Sequence, residues 1–91
     1  MRIEYDQNKN QRNLLERGLS FDQASNLDWS SAFIWQDSRF TYGETRYSAL
    51  ALLDERLHFI AFKFIDDGIR VISFRKANKR EIKKYENRLP P

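Results

Sequence analysis

Between Thr45 and Lys76 the chain runs through three strand-type stretches, Thr45 to Leu53, Arg56 to Ile65 and Ile69 to Lys76, parted only by Asp54-Glu55 and Asp66-Asp67-Gly68. Gaps this short leave no room for the crossover that a parallel pair needs, so the three stretches read as an antiparallel meander joined by hairpin turns. Asp67-Gly68 fits a type I′ turn, in which both central residues adopt positive φ. In the middle stretch His58, the only histidine, shares a parity with Ile60, Phe62 and Phe64, which puts it on the apolar side of a strand.

Shorter elements flank the meander. Arg2 to Tyr5 reads as a strand, and Asp6 stands as the N-cap of a helix over Gln7 to Arg17 that Gly18 closes as its C′ residue. Ser20-Phe21-Asp22-Gln23 has the spacing of a capping box, with Leu19 and Ala24 at the staple positions, and predicts a second short helix. A short strand is expected around Ala32 to Trp35, then a loop from Asp37 to Gly43. Asn78 followed by Glu81 marks a third helix start, with Ile82, Tyr85 and Leu89 on one face and Pro90-Pro91 as the stop. The expected fold is α+β: a mostly antiparallel four- to five-stranded sheet with two N-terminal helices and one C-terminal helix. With 91 residues, 41% of them hydrophobic, the chain has material for one core, so residues 1–91 are read as a single domain.

Composition removes several functions. The absence of cysteine excludes disulfides, thiolate metal sites and a cysteine nucleophile, and fits a reducing compartment. No stretch approaches the roughly 20 apolar residues of a membrane span, and Met1 to Asp6 lacks the apolar segment of a secretion signal, so a cytoplasmic protein without membrane partners is expected. One histidine and no clustered carboxylate motif leave no ligand set for a metal, and three glycines make no phosphate loop, so no cofactor is expected. Residues 1–69 carry 8 basic and 11 acidic side chains, whereas residues 70–91 carry 8 and 2. That concentration of positive charge is either the footprint of a polyanion such as nucleic acid or a solvated helix face.

Several spaced residues together resemble the BrnT toxin family over nearly the whole chain. Tyr5-Asp6-x-x-Lys9-x-x-x-Asn13 is followed by Gly18-Leu19-Ser20-Phe21-x-x-Ala24, then Asp37-x-Arg39 and Gly43-Glu44-x-Arg46, and finally Arg70-Val71-Ile72-Ser73-Phe74-Arg75-Lys76-Ala77 with Glu81 and Tyr85. There is one departure: Glu16-Arg17-Gly18 stands where the family usually shows Lys-His-Gly. The resemblance implies a RelE-like fold and a metal-independent endoribonuclease that inhibits translation. It also implies a small ribbon-helix-helix antitoxin of the BrnA type as partner, and operator DNA bound only through that complex.

Such cleavage, in which the RNA 2′-OH attacks the adjacent phosphate, needs a base, an acid and cations around the phosphate oxygens. Arg46, Arg70 and Arg75 are the candidates for the phosphate clamp, since arginine keeps its charge and offers a fixed fork of donors. Arg70 and Arg75 are five apart and point to opposite sides of a regular strand unless a bulge intervenes. Glu44, two residues before Arg46, is either a general base or its ion-pair partner. Glu81 and Tyr85 lie one helical turn apart and are candidate acid or base groups, with Tyr85 also on the apolar stripe. His58 has the right intrinsic pKa for the same work, against its place on the apolar side. Lys9, Lys76, Lys79, Arg80 and Lys83 are candidate RNA contacts, Lys84 belongs to the same cluster, and Asn13 is read as an RNA contact or a tie to a neighbouring loop. The competing reading is a non-catalytic module that binds nucleic acid or a partner protein, for which the basic tail and the aromatics Trp29 and Trp35 speak. An enzyme acting on free nucleotides is disfavoured by the missing glycine loop.

Overall fold

A computed structural model of the chain describes residues 1–38 and 43–88. The elements run β1 (Arg2–Glu4), α1 (Gln7–Arg17), two 3₁₀ segments (Phe21–Asn26 and Trp29–Ser31), β2 (Phe33–Asp37), β3 (Arg46–Leu53), β4 (Arg56–Ile65), β5 (Gly68–Lys76) and α2 (Lys79–Glu86). They build one five-stranded sheet in the order β1-β5-β4-β3-β2. Strands β2 to β5 form the antiparallel meander, and β1 pairs parallel with β5, so the sheet is mixed. Of the expected features, Arg39 and most of the loop around it lie outside the described residues, as do Leu89 and the two terminal prolines.

Local rules explain most boundaries. The Asp6 carboxylate accepts hydrogen bonds from the backbone N–H of Asn8 and Lys9, and Gly18 closes α1 in the left-handed region at φ 66°. Asn78 and Glu81 make the expected reciprocal capping box of α2. Two expectations are corrected. The positive-φ turn is Asp54-Glu55 (φ 49° and 65°), not Asp67-Gly68. Gly68 instead lies inside β5 opposite Arg2, where an added Cβ would sit 1.9 Å from the Arg2 carbonyl oxygen, so this glycine is needed for β1 to approach. The second helix is 3₁₀ rather than α. The Ser20 hydroxyl caps the N–H of Asp22 instead of closing a box with Gln23.

Both faces of the sheet are covered, by different means. On the first face Phe21, Ala24 and Leu27 of the 3₁₀ segment pack on Ala49, Ala51, Ile60, Phe62, Val71 and Phe74. On the second, Ile82 and Tyr85 of α2 pack on Leu50, Leu57, Phe33, Trp35 and Phe59. Helix α1 is unusual in that its buried side chains are asparagines, while Leu15 is 85% exposed. Asn10 accepts from the Phe21 N–H at 2.7 Å, and the Asn13 amide donates to the carbonyls of Leu19 and Phe74, both at 2.9 Å. Asn13 is thus the tie to the neighbouring loop, and it also closes the edge of β5 that the short β1 leaves open.

His58 sits on the first face, 4% exposed, with Nδ1 2.8 Å from the Arg56 carbonyl and its ring against Phe74. Desolvation pushes its pKa below the ordinary 6.5, and the nearby charges of Arg56 and Lys76 push the same way.

Two measurements test this account. Replacing Asn13 by alanine leaves buried carbonyls without donors and is expected to lower the unfolding free energy by about 2–4 kcal/mol in urea titrations, whereas Leu15→Ala costs under about 0.5 kcal/mol. Equal costs would show that α1 docks through its apolar residues. Because folding depresses the His58 pKa, the unfolded chain takes up the proton first; stability is then full above about pH 6.5 and falls as the pH drops below it. Melting temperatures recorded from about pH 7.5 down to 5 should show this decline in the parent chain and a flatter one in His58→Gln.

Candidate nucleic-acid cleft

Helix α2 has eight residues and crosses only part of the second face. Beyond it the second face carries charged side chains, Arg46, Lys63 and Arg70 among the described residues. A cleft of about 530 Å³ opens between α2 and this part of the sheet. Its floor is Ser48, Phe59, Ala61, Ile72 and Ser73, its walls Trp35, Asp37, Arg46 and Arg75, and its rim Arg80, Glu81 and Lys84 of α2.

A β-bulge decides which arginines face this side. Ala61 pairs with Ser73 but Phe62 pairs with Val71, so Ile72 is an extra residue in β5. Arg75 then stands opposite Phe59 and Arg70 opposite Lys63, both on the second face despite their spacing of five. Arg46, opposite Asp37 on β2, shares that face. The three arginines are therefore on one side of the sheet, but only Arg46 and Arg75 line the cleft. Arg70 lies further along and is bound to Glu4 at 3.0 Å, in a chain of ion pairs that continues through Arg2 to Asp67.

Arg75 is held from two directions. Its guanidinium lies 4.4 Å over the Phe59 ring, and two of its nitrogens donate to the two carboxylate oxygens of Glu81 at 2.8 and 3.0 Å. Glu81 also accepts from the backbone N–H of Asn78, so one carboxylate caps the helix and orients the clamp. Hydrogen bonding to Arg75 is the largest cause that holds the Glu81 carboxyl below its ordinary pKa, against a smaller opposing effect of burial. Both partners are less than a third exposed, at 31% and 17%, and the contact is bidentate. Such a pair outweighs the roughly 0–1 kcal/mol of an exposed one such as Arg2 with Asp67. Lys84 reaches back so that Nζ lies 3.8 Å from the centre of the Trp35 ring, a cation–π contact that fixes the ammonium at the cleft mouth.

The other candidates fall elsewhere. Glu44 does not line the cleft; its carboxylate lies 3.4 Å from Lys63, the neighbour of Arg70. Glu81 and Tyr85 do not converge, because the Tyr85 hydroxyl donates to the Ser31 carbonyl at 3.2 Å while its ring packs under α2. His58 is on the opposite face, where it lines a separate pocket of about 430 Å³ with Arg17, Lys76 and a wall of Arg75. Lys79 and Lys83 are exposed and outside the cleft, whereas Arg80 lines it. Lys9 lies on α1 above the edge of β5. Sequence reasoning did not single out Asp37 as a site residue, and it read Lys84 only as part of a phosphate-holding cluster, not as a group in the reaction. Asp37 stands at the head of the quoted Asp37-x-Arg39 piece, and Lys84 in the basic cluster of α2, so both carried a signal. Among the described residues no group of three or more histidine, aspartate or glutamate side chains is placed to hold a metal ion. No helix there is long and apolar enough to cross a membrane.

The cleft thus gathers cations, two carboxylates and aromatic rings at one solvent-reachable place, a chemistry suited to a phosphodiester strand with its bases. No curated protein matches the chain. A family model described as the ribonuclease toxin BrnT of a type II toxin–antitoxin system matches residues 5–81, a span that contains every cleft residue except Lys84. The chain belongs to the BrnT family of ribonuclease toxins.

Proposed function

We propose that this chain, with the RelE-like fold its resemblance implies, is a metal-independent endoribonuclease whose reaction takes place in the cleft between α2 and the sheet. The observation that supports this most is the convergence of Arg46 and Arg75 from separate strands with Lys84 and Asp37 around one opening. In the reaction the 2′-oxygen of RNA forms a bond to the adjacent phosphorus while the bond from phosphorus to the 5′-oxygen breaks. This leaves a 2′,3′-cyclic phosphate and a free 5′-hydroxyl. Arg46 and Arg75 hold the non-bridging oxygens, where charge builds up.

Two carboxylates can be weighed as the base that takes the 2′-OH proton. Glu81 is the weaker, since Arg75 depresses its pKa and the helix cap fixes its position. The role falls to Asp37, which stands opposite Arg46 across the β2–β3 ladder. The leaving oxygen needs a proton, and arginine does not release one. Lys84 is the one cation among the described cleft residues that does, and it is assigned the acid. Glu44, Arg70 and Lys63 then steer RNA by charge at a distance.

Membership of the family brings an antitoxin partner and RNA as target. We take the partner to be a small ribbon-helix-helix protein of the BrnA type, with operator DNA contacted through the complex, and the cellular effect to be arrest of translation in the cytoplasm.

Partner-free protein should cleave RNA at an unchanged rate in EDTA, giving cyclic-phosphate ends. Arg46→Ala and Asp37→Asn should each lower kcat by about 10²-fold or more while leaving the fold intact by circular dichroism. RNA that stays intact at protein excess, yet binds in a salt-sensitive way, would move the chain to the non-catalytic reading. The internal pairing of Arg75 with Glu81 favours that second reading.

A further inference from the structure

The cleft does not end at β5. Strand β1 pairs only with Gly68, Ile69 and Arg70, so from Val71 onward β5 has no strand neighbour on its outer side among the described residues. Helix α1 lies there instead, and a groove runs between it and the strand edge. Ile72 and Ser73 line this groove and also the floor of the cleft, so the bulged part of β5 is a low wall shared by both. The α1 side of the groove presents Lys9, Arg12 and Arg17, against one carboxylate, Glu16. Arg17 is held over the groove by a 2.7 Å hydrogen bond to the Asn13 amide oxygen, and it also lines the pocket that Arg75 walls on its other side.

We propose that single-stranded RNA runs out of the cleft, over the bulge in β5, and into the α1 groove, where Lys9, Arg12 and Arg17 hold the phosphates of nucleotides flanking the scissile bond. The inference rests on the cleft being the RNA site, and it adds a second, non-reacting contact surface to it. A polyanion strand is the occupant that fits: the cations follow one line around a sheet edge, and they join a cleft floored and walled by aromatic and polar groups. These contacts carry no base specificity, so they lengthen the footprint without narrowing the sequence cleaved.

The test compares a trinucleotide with a decanucleotide, both 2′-O-methylated so that no cleavage occurs, at several salt concentrations. The probes are titrated against the full chain and against the double variant Lys9→Ala, Arg12→Ala. Losing two phosphate contacts should flatten the slope of log affinity against log salt by about 1.4 for the decanucleotide and leave the trinucleotide unchanged. Arg46→Ala should weaken both lengths. If the double variant binds the decanucleotide with the parent slope, the groove proposal is overturned while the cleft reading stands. If the parent chain binds neither length in a salt-dependent way, the cleft reading falls and takes the groove with it. A parallel titration with polyglutamate separates the remaining occupant: loss of binding to that probe alone assigns the groove to an acidic polypeptide and overturns the proposal.

Discussion

A sheet of long strands, apolar on its first face and covered only in part on its second by one short helix, is the constraint from which the rest follows. Strands β3 to β5, eight to ten residues each, are about 26–33 Å long, whereas α2 with eight residues spans about 12 Å. One helix therefore closes only part of the second face. The part it covers is aromatic and aliphatic, from Leu57 and Leu50 to Phe59 and Trp35. The part it leaves is written in charge, from Asp37 and Arg46 to Lys63, Arg70 and Glu4. The cleft is the border between these two regimes, where apolar rings still lie close enough to hold cations in place.

At that border Glu81 links stability to function. Its carboxylate satisfies an exposed N–H at the start of α2 and both forks of Arg75, so the docking of the helix and the aim of the clamp are one arrangement. Any phosphate that binds Arg75 meets a guanidinium already oriented, at the cost of competing with a carboxylate. Lys84 on Trp35 repeats the device with a ring in place of an anion. A chain this small sets its polar groups with contacts that also hold the fold.

Much of this was readable from residue order because it depends on near neighbours. The meander, the caps at Asp6 and Asn78, the stop at Gly18 and the burial of His58 follow from patterns within a few positions. What escaped depends on two strands at once. The bulge at Ile72 is a property of the β4–β5 register and leaves no mark in the β5 sequence, yet it settles whether Arg70 and Arg75 share a side. Likewise Gly68 resembles a turn glycine until the close approach of Arg2 is seen. Glu44 has Arg46 two positions away, but Lys63 on the adjacent strand is the cation its carboxylate meets. Helix α1 misleads in the opposite sense, since its burial runs through asparagine amides and no apolar stripe announces it.

The extra residue in β5 also limits how this chain can vary over generations. Elsewhere a codon gained or lost within a strand shifts a ladder that neighbouring turns can absorb. Here the bulge itself absorbs the extra residue. Pairing Ile72 in regular register would swing Arg75 toward Phe74's side of the sheet, or else drag Arg70 away from Glu4, whereas loss of Ile72 would leave the two arginines four apart and still on one side. At its present length β5 must keep its kink, and lineages of such chains should vary there by substitution, or by losing that one residue and the kink together.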